Sequence, residues 1–435
     1  MAVIGGGATV LGVALDAAAR GFEVALVEAT DFAKGTSSRS TKLIHGGVRY
    51  QAQGNIALVR EALHERGVLL ANAPHLAQPL AFVMPGYSWW ERGFYGAGLK
   101  AYDALAGSRG LGSTQLLSTA QVEALIPTVR TRGLSGGVKY WTGQFDDARL
   151  AVTLARTAVA RGACVVNHMR CVNLHRDAGT VCGLVAEDAE SGERFTLSAN
   201  CVVNATGVWV DAVRDMDAEP GTPKRLPMVA PSQGVHLVVD RSFLPTDHAL
   251  LISKTDDGRV IFAVPWLGKT VLGTTDTPRI DTAAEPSPFR DEVEFILREA
   301  SKYLSKQPMR ATCSRSGSGC GRWFARRKPK TARRKRRCCR ASTRCGSADR
   351  ASSRLPAASG RPTGRWPRRA EPMLRRRIAE GARRRCHRAP AARRCAGRRG
   401  KIVAAIAHPG TERARLRHRS RNVARFAWRR PLAVA

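Results

Sequence analysis

The first 28 residues alternate apolar runs with a Gly-rich turn in the order that is typical of a β-α-β unit. Ala2–Ile4 predicts a short buried strand, and the three glycines of Gly5–Gly7 predict a tight turn. Thr9–Arg20, rich in Ala, Leu and Val, predicts a helix. Phe22–Val27 predicts a second strand, which ends next to the acidic Glu28.

This order favours a dinucleotide-binding turn over a Gly-rich turn of no special function. Gly5 and Gly7 would let backbone N–H groups approach a pyrophosphate at the helix N-terminus, where the helix dipole favours anions. Glu28 is placed to accept hydrogen bonds from an adenosine ribose. Val10 stands where the third glycine of the pattern is expected, and a branched side chain there predicts overpacking that costs on the order of 1–3 kcal/mol.

Farther along the chain, the apolar pattern predicts a helix at Ala148–Arg161, capped by Asp146 or Asp147, and a surface helix at Ser287–Leu304. Short apolar runs predict an antiparallel sheet, with strands at Val235–Val239, Ala249–Ser253, Val260–Val264 and Thr270–Gly273. The fold class predicted for residues 1–310 is therefore α/β, with a doubly wound, Rossmann-like nucleotide domain and an antiparallel-sheet domain.

Charge divides the chain near Ala311. Of the 71 Lys+Arg and 35 Asp+Glu, residues 1–310 hold 32 and 31, whereas residues 311–435 hold 39 and 4. The tail also has few large apolar residues with which to offset its ordering entropy, and its like charges repel. We therefore expect a globular body followed by a disordered basic tail.

The cysteines and the hydropathy exclude several classes of protein. The four body cysteines favour free thiols in a reducing cytoplasm, buried where they fall in apolar runs, and the seven tail cysteines show no repeated CxxC spacing, so no metal site is predicted. No run of about 20 apolar residues predicts a membrane span. The apolar start lacks a basic leader, so it does not predict a secretory signal.

The segment Thr36–Tyr50, TSSRSTKLIHGGVRY, closely resembles the TSSxxSKLIHGGLRY segment of FAD-dependent glycerol-3-phosphate dehydrogenases. Further matches follow in the family's order over residues 1–310: Phe145–Leu150, Asn204–Trp209, Gly234–His236, Val264–Trp266 and Gly273–Asp276. The resemblance implies a flavoprotein fold of the D-amino-acid-oxidase and glutathione-reductase type. It divides the chain into an FAD domain (1–80 and 145–215), a substrate domain (81–144 and 216–310) and the tail (311–435).

The resemblance also implies which residues bind FAD. They are the turn glycines and Glu28, the polar loop, and the small-residue turn after a strand: Gly5, Gly7, Glu28, Thr36, Ser37, Ser38, Lys42, Leu43, His45, Gly46, Gly47, Ala205, Thr206 and Gly207. Considered without the family, the polar loop and the small-residue turn could each be an ordinary solvated turn.

The implied reaction is oxidation of sn-glycerol 3-phosphate to dihydroxyacetone phosphate, with electrons passed to a quinone. Arg49 is the expected phosphate ligand because a guanidinium binds phosphate with two parallel hydrogen bonds. Tyr50 would orient the substrate, and His236 would act as the base or hydrogen-bond the substrate. The implied location is the cytoplasm, with peripheral contact at the inner face of the cell membrane.

The family continues with V-G-x-R-P-L and G-G-K-[WL]-T-T-Y-R segments, which this chain lacks as read. Thr312–Arg326 can be encoded so that the same bases, grouped from one position earlier, read DVLSVWVGLRPLVR. Pro356–Arg368, treated identically, reads TGGKWTTYRAMAE. The hypothesis is that one base was lost near codon 311, which predicts impaired folding and activity.

Two other functions remain open at this level. The Arg-rich tail, for example Arg333–Arg337, would attract nucleic acid without sequence specificity. The flavin fold could instead act on an amine or a 2-hydroxy acid, although the His-Gly-Gly-x-Arg-Tyr segment argues against this.

Overall fold

The computed structural model describes residues 1–45, 55–218, 223, 225–324, 346–347 and 352–354. For the last two ranges, and for most of 315–324, the description covers the backbone alone. The helices of these residues are α1 (Ala8–Ala19), α2 (Ile56–Asn72), α3 (Trp89–Ala106), α4 (Thr119–Leu125), α5 (Asp147–Ala160), α6 (Val210–Asp215) and α7 (Arg290–Ser301).

A mainly parallel sheet carries the predicted β-α-β unit. Its described strands are β1 (Ala2–Ile4), β2 (Ala25–Val27), β7 (Cys164–Val166), β11 (Val202–Asn204), β18 (Gly346–Ser347) and β19 (Ser352–Arg354), in the order β18-β19-β11-β1-β2-β7. All neighbours are parallel except β18 and β19. The carboxyl ends of β1 and β11 therefore lie at one edge, where ligands bind in open α/β sheets.

The second large sheet is mixed. Its described strands are β3 (Leu43–Ile44), β4 (Ala77–Gly86), β5 (Gln115–Leu117), β6 (Gly136–Phe145), β12 (Val229–Asp240), β13 (Ala249–Ile252), β14 (Ile261–Trp266), β15 (Lys269–Gly273), β16 (Thr277–Pro278) and β17 (Cys313–Phe324). Antiparallel pairing dominates, with β13 and β4 parallel. A separate antiparallel sheet joins β8 (Met169–Asp177), β9 (Thr180–Asp188) and β10 (Arg194–Ser198).

Most predicted elements are present with shifted ends. The second strand is shorter than predicted and begins at Ala25. Helix α7 is shorter than predicted and buries Ile296, Leu297 and Ala300, so one face packs on the sheet. Strand β4 crosses the predicted domain boundary at residue 80 and lies wholly in the mixed sheet.

Val10 is buried in the core, and the energetic cost of overpacking there stays a prediction. It is 1% exposed and belongs to the apolar cluster in which α1 packs beside α5. A Cβ atom added to Gly5 would lie 3.4 Å from its Cγ2 atom, an ordinary contact distance. Val10 therefore packs beside the glycine turn without filling the space next to the Gly5 Cα atom.

Two further predictions are corrected. The tail is not without structure throughout, because β17 pairs antiparallel with β12 from Val229 to Val239; most of residues 325–435 lie outside the described part. Among the body cysteines, Cys171 and Cys201 are buried as predicted, but Cys164 is exposed at its strand. Its strand β7 is the edge next to β2 in the described sheet, which explains the exposure.

Candidate active site

The glycine turn between β1 and α1 brings three segments into close contact. Gly5 has a φ of +112°, a conformation that side chains rarely adopt, and a Cβ atom on it would lie 3.3 Å from the Thr206 Cα atom. A Cβ atom on Gly6 would lie 2.7 Å from the Glu28 Cγ atom. The turn therefore joins the ends of β1, β2 and β11 in one small cradle.

The polar loop reaches the same cradle through Ser37. The Ser37 hydroxyl accepts a hydrogen bond from the Ala8 N–H at 3.0 Å, at the first residue of α1. Thr36–Ser38 forms a single 3₁₀ turn, and a Cβ atom on Gly7 would lie 3.1 Å from the Ser37 Oγ atom. The Ser37 hydroxyl thus lies at the positive end of the helix dipole.

The small-residue turn after β11 completes the cradle. Asn204 Oδ1 accepts hydrogen bonds from the Thr206 hydroxyl at 2.8 Å and from its N–H at 3.3 Å. Ala205 is buried, and Gly207 has a φ of +71°. Because its side chains are small and locally bonded, this turn lies directly against Gly5.

The far end of the polar loop contacts His236 on β12. The Thr41 hydroxyl lies 2.9 Å from the His236 Nε2 atom. Burial, and to a smaller extent the nearby Lys42 ammonium, lower the pKa of His236 to about 4. The imidazole is therefore neutral at pH 7 and able to accept a proton.

Lys42 is turned toward α5. Its ammonium donates to the Asp147 Oδ1 atom at 2.6 Å and to the Ser38 carbonyl at 2.8 Å, and it lies 6.0 Å from the centre of the Trp266 ring. Asp146, the other predicted cap, accepts from the Arg149 N–H at 3.0 Å and caps the helix. The two adjacent aspartates thus have different roles.

The remaining predicted residues have varied positions. The Leu43 side chain packs in the apolar cluster with Phe82 and Tyr140. His45 is exposed, with its ring centre 5.3 Å from that of Phe262. Four predicted residues lie outside the described part of the chain: Gly46, Gly47, Arg49 and Tyr50.

The family comparison agrees with this geometry. The sequence profile of the family described as FAD dependent oxidoreductase matches residues 1–332. This chain belongs to the FAD-dependent oxidoreductase family. The match extends past Ala311, where the charge changes, and includes all of β17.

Curated relatives of this flavoprotein confirm the resemblance predicted from its loop motifs. It is 45% identical over 316 residues to the mitochondrial glycerol-3-phosphate dehydrogenase of Rattus norvegicus, covering 70% of this chain and 43% of the rat protein. It is 44% identical over 330 residues to that of Arabidopsis thaliana, covering 73% and 52%. The chain thus matches about half the length of these relatives.

Solved structures share the flavoprotein fold. The glycerol-3-phosphate dehydrogenase of Bacillus halodurans, complexed with FAD, has a TM-score of 0.67 at 33% identity, covering 88% of this chain and 64% of the other. Glycine oxidase from Geobacillus kaustophilus has a TM-score of 0.59 at 20% identity, covering 83% and 89%, which supports the fold alone.

The residues present in this oxidoreductase fit FAD, the cofactor of its family. The Gly5–Gly7 turn and the start of α1 would hold the pyrophosphate, because small residues let it approach the backbone. Glu28 would hold the ribose; its Oε1 atom accepts from Thr30, while Oε2 faces the Gly6 backbone. When bound, FAD supplies an acceptor for a hydride.

Sequence reasoning missed the contacts of Thr41 and Asp147. Thr41 lies inside the polar loop with no pattern of its own, and the sequence predicts only that Asp146 or Asp147 caps the helix. The signal for Asp147 was its neighbour: one aspartate suffices to cap α5, so the second was available for another contact.

Proposed function

We propose that this flavoprotein oxidises sn-glycerol 3-phosphate to dihydroxyacetone phosphate. The observation that carries the proposal is the continuity of one loop, which contacts the nucleotide turn through Ser37 and the His236 imidazole through Thr41. Such a loop links the cofactor to a proton acceptor. The names of the relatives, at 44–45% identity, supply the substrate.

The reaction breaks two bonds of the substrate carbinol. Bound FAD would supply the acceptor for the hydride of the carbon, and the hydroxyl would give its proton to the neutral His236 imidazole. The proposal requires the tautomer in which the Nε2–H donates to the Thr41 hydroxyl, because Nδ1 then holds the lone pair that accepts the proton. The phosphate dianion would raise the pKa of His236 and strengthen it as a base, and Arg49 is the proposed phosphate ligand.

The test is reduction of the bound flavin in purified protein. Glycerol 3-phosphate should bleach the flavin absorption band without oxygen, whereas glycine and lactate should not. His236→Asn should slow bleaching by about 100-fold, in the range typical for loss of a general base. Bleaching by glycine or lactate alone would replace this function with amine or 2-hydroxy-acid oxidation.

We further propose that electrons pass to a quinone and that the protein lies peripherally at the inner face of the cell membrane. The supporting surface is the start of α3, where Trp89 is 87%, Phe94 68% and Trp90 45% exposed. Exposed cations, Arg92 and Lys100, lie on the same helix. Aromatic rings with flanking cations suit an anionic lipid interface. None of the described helices is long and apolar enough to cross a bilayer.

Vesicles containing brominated anionic lipids test this surface. Tryptophan fluorescence should be quenched in the parent and much less in Trp89→Ser combined with Trp90→Ser and Phe94→Ser. Leu267→Ser, at a site 82% exposed elsewhere, is the matched control and should retain the quenching. Equal quenching in all three proteins would exclude insertion by α3, and attraction by the basic tail alone would give binding without quenching.

We also propose that the reading frame breaks near codon 311. Cys313–Phe324 holds six Ser and Gly residues, an unusual composition for a strand that pairs with β12 from Val229 to Val239. The displaced frame gives VLSVWVGLRPLV over the same codons, which is a strand-forming sequence. Its TGGKWTTYR segment begins at the codon of Pro356, just after β19, which runs parallel to β11 toward the cofactor edge.

A gene with one base inserted at codon 311 tests this proposal. Its product should bind more FAD, melt at a higher temperature and reduce a quinone analogue faster than the chain as read. Sequencing the locus shows whether the base is absent from the DNA itself. If the insertion improves neither stability nor FAD content, the basic tail is a genuine part of the protein.

A further inference from the structure

We propose that Asp147 is a positioning residue that fixes the Ser40–Lys42 turn and thereby holds the Thr41 hydroxyl against His236. The inference rests on the proposed function, in which His236 takes the substrate proton. Asp147 is 3% exposed and lies 89 positions before His236 in the sequence, so no sequence proximity links them.

The Asp147 carboxylate accepts hydrogen bonds from Ser40 and Lys42, the residues on either side of Thr41. Its Oδ2 atom accepts from the Ser40 N–H at 3.1 Å and from the Ser40 hydroxyl at 2.6 Å. Its Oδ1 atom accepts from the Lys42 ammonium at 2.6 Å and from the Ala148 N–H at 2.8 Å. Four donors on one buried carboxylate satisfy its charge, which is the condition for a stable buried ion pair.

The Ser40–Lys42 turn has a backbone conformation that hydrogen bonds such as those to Asp147 must stabilise. Lys42 has a φ of +61°, in the left-handed region, which costs a residue with a side chain about 1 kcal/mol or more. The Lys42 N–H donates to the Ser40 hydroxyl at 3.1 Å, and its carbonyl accepts from the Phe145 N–H at 3.0 Å. These bonds hold Ser40 and Lys42 as one unit, with Thr41 pointing between them to His236.

Helix capping does not explain Asp147. Asp146 supplies the capping bond of α5 to the Arg149 N–H, and Asp147 adds a bond from the adjacent Ala148 N–H. Neither bond accounts for the contacts of Asp147 with Ser40 and Lys42. The position of Asp147 at the first residue of α5 still favours its negative charge through the helix dipole. The helix therefore presents a fixed anion to the loop.

The charges around His236 are consistent with this arrangement. Among the described residues, the Lys42 ammonium is the charged group that acts on the imidazole, and it lowers its pKa. That ammonium is paired with the Asp147 carboxylate at 2.6 Å. Gly273, on the neighbouring strand β15, contributes no charge.

The test is the tautomeric state of His236, read from imidazole ¹⁵N chemical shifts of the full-length protein labelled in histidine. His236→Asn assigns the signal among the ten histidines. In the parent, the Thr41 contact should hold one tautomer. Thr41→Val and Asp147→Asn should each shift the signal toward a mixture, and Asp147→Asn should add nothing in the Thr41→Val background.

Two controls keep the test decisive. Asp146→Asn changes the adjacent carboxylate and should leave the signal of His236 as in the parent, as should Thr41→Ser, which keeps the hydroxyl. If Asp147→Asn does not fold, Ser40→Ala is the substitute variant. It removes the hydroxyl that donates to Asp147 and should likewise shift the tautomer of His236. An unchanged signal in a folded Asp147→Asn or Ser40→Ala protein, or an equal change in Asp146→Asn, overturns the proposal.

The measurement needs no substrate, so its failure is separate from failure of the proposed function. A parent that holds one tautomer but does not bleach its flavin with glycerol 3-phosphate would retain the positioning role and lose the reaction. Conversely, glycerol 3-phosphate could bleach the flavin of the parent protein while Asp147→Asn changes neither the tautomer of His236 nor the bleaching rate. That result would support the reaction and exclude the positioning role of Asp147.

Discussion

Single atoms decide the geometry of the cofactor cradle. Gly5 and Gly6 have no Cβ atom in places where one would lie 3.3 Å from the Thr206 backbone and 2.7 Å from the Glu28 side chain. Gly12, in the middle of α1, meets nothing within 4 Å of an added Cβ atom. The same residue type is therefore required at the turn and incidental in the helix.

Gly5→Ala should weaken FAD binding at least tenfold, about 1.4 kcal/mol, because the φ of +112° and the Thr206 contact both disfavour a side chain. Gly12→Ala is the matched control and should leave FAD affinity unchanged while stabilising α1 by roughly 0.5–1 kcal/mol. Quenching of FAD fluorescence on titration measures the affinity. Equal losses in the two variants would contradict the role of the turn.

Protonation of His236 should destabilise the fold in mild acid. Its folded pKa of about 4 lies below the unfolded value of 6.5, so the unfolded chain takes up a proton first as the pH falls. The neutral, buried imidazole contributes its full stabilisation of the folded state above pH 6.5. This contribution to the free energy of unfolding is lost between pH 6.5 and 4, by at most about 3 kcal/mol. Urea unfolding across this range should show a shallower acid loss in His236→Gln; identical pH profiles would contradict the assignment.

Among the described elements of the mixed sheet, β17 and β12 form the longest strand pairing. Strand β17 covers β12, the strand that carries His236, along eleven residue pairs. Without it, β12 would present a row of unpaired backbone groups, and such edges promote aggregation.

A chain ending after residue 312 should therefore melt at a lower temperature and aggregate sooner than a chain ending after residue 330. Both versions lack most of the basic tail, so the comparison isolates β17. Circular dichroism melting and light scattering measure the difference. Matching curves would mean that the β12–β17 pairing contributes nothing to stability.

At the scale of the whole molecule, the charge is divided between a nearly neutral body and a tail with 39 basic and 4 acidic residues. Such a tail neutralises phosphates and releases counterions, so binding to nucleic acid should weaken steeply with salt. Attraction of this kind is independent of sequence and assigns no biological role.

Removal of residues 331–435 should abolish retention on a heparin column above about 0.2 M salt, where the full chain should still bind. DNA fragments of unrelated sequence should bind the full chain equally. Retention of the shortened chain at the same salt, or preference for one DNA sequence, would place a binding surface on the body instead.

The segments that meet at the candidate site could be recognised in the sequence because each of them is local. Each of these segments is a short stretch with a recognisable residue pattern: the glycine turn, Glu28, the polar loop and the Asn204–Gly207 turn. The positions of Leu43 and Asp147 were less accessible, since Leu43 serves the core and the Asp147 bonds span more than 100 residues. Contacts between distant segments leave no periodic trace in a sequence.

The amino-acid sequence by itself determined the β-α-β unit, the flavoprotein family and the division of charge, because backbone propensity, glycine placement and composition act over short stretches. Only the tertiary structure decided that Asp146 caps α5 while Asp147 binds the loop, that Thr41 meets His236, and that β17 joins the sheet. The physical reason is that hydrogen bonds and ion pairs depend on where folded segments meet in space, which packing of the whole core sets.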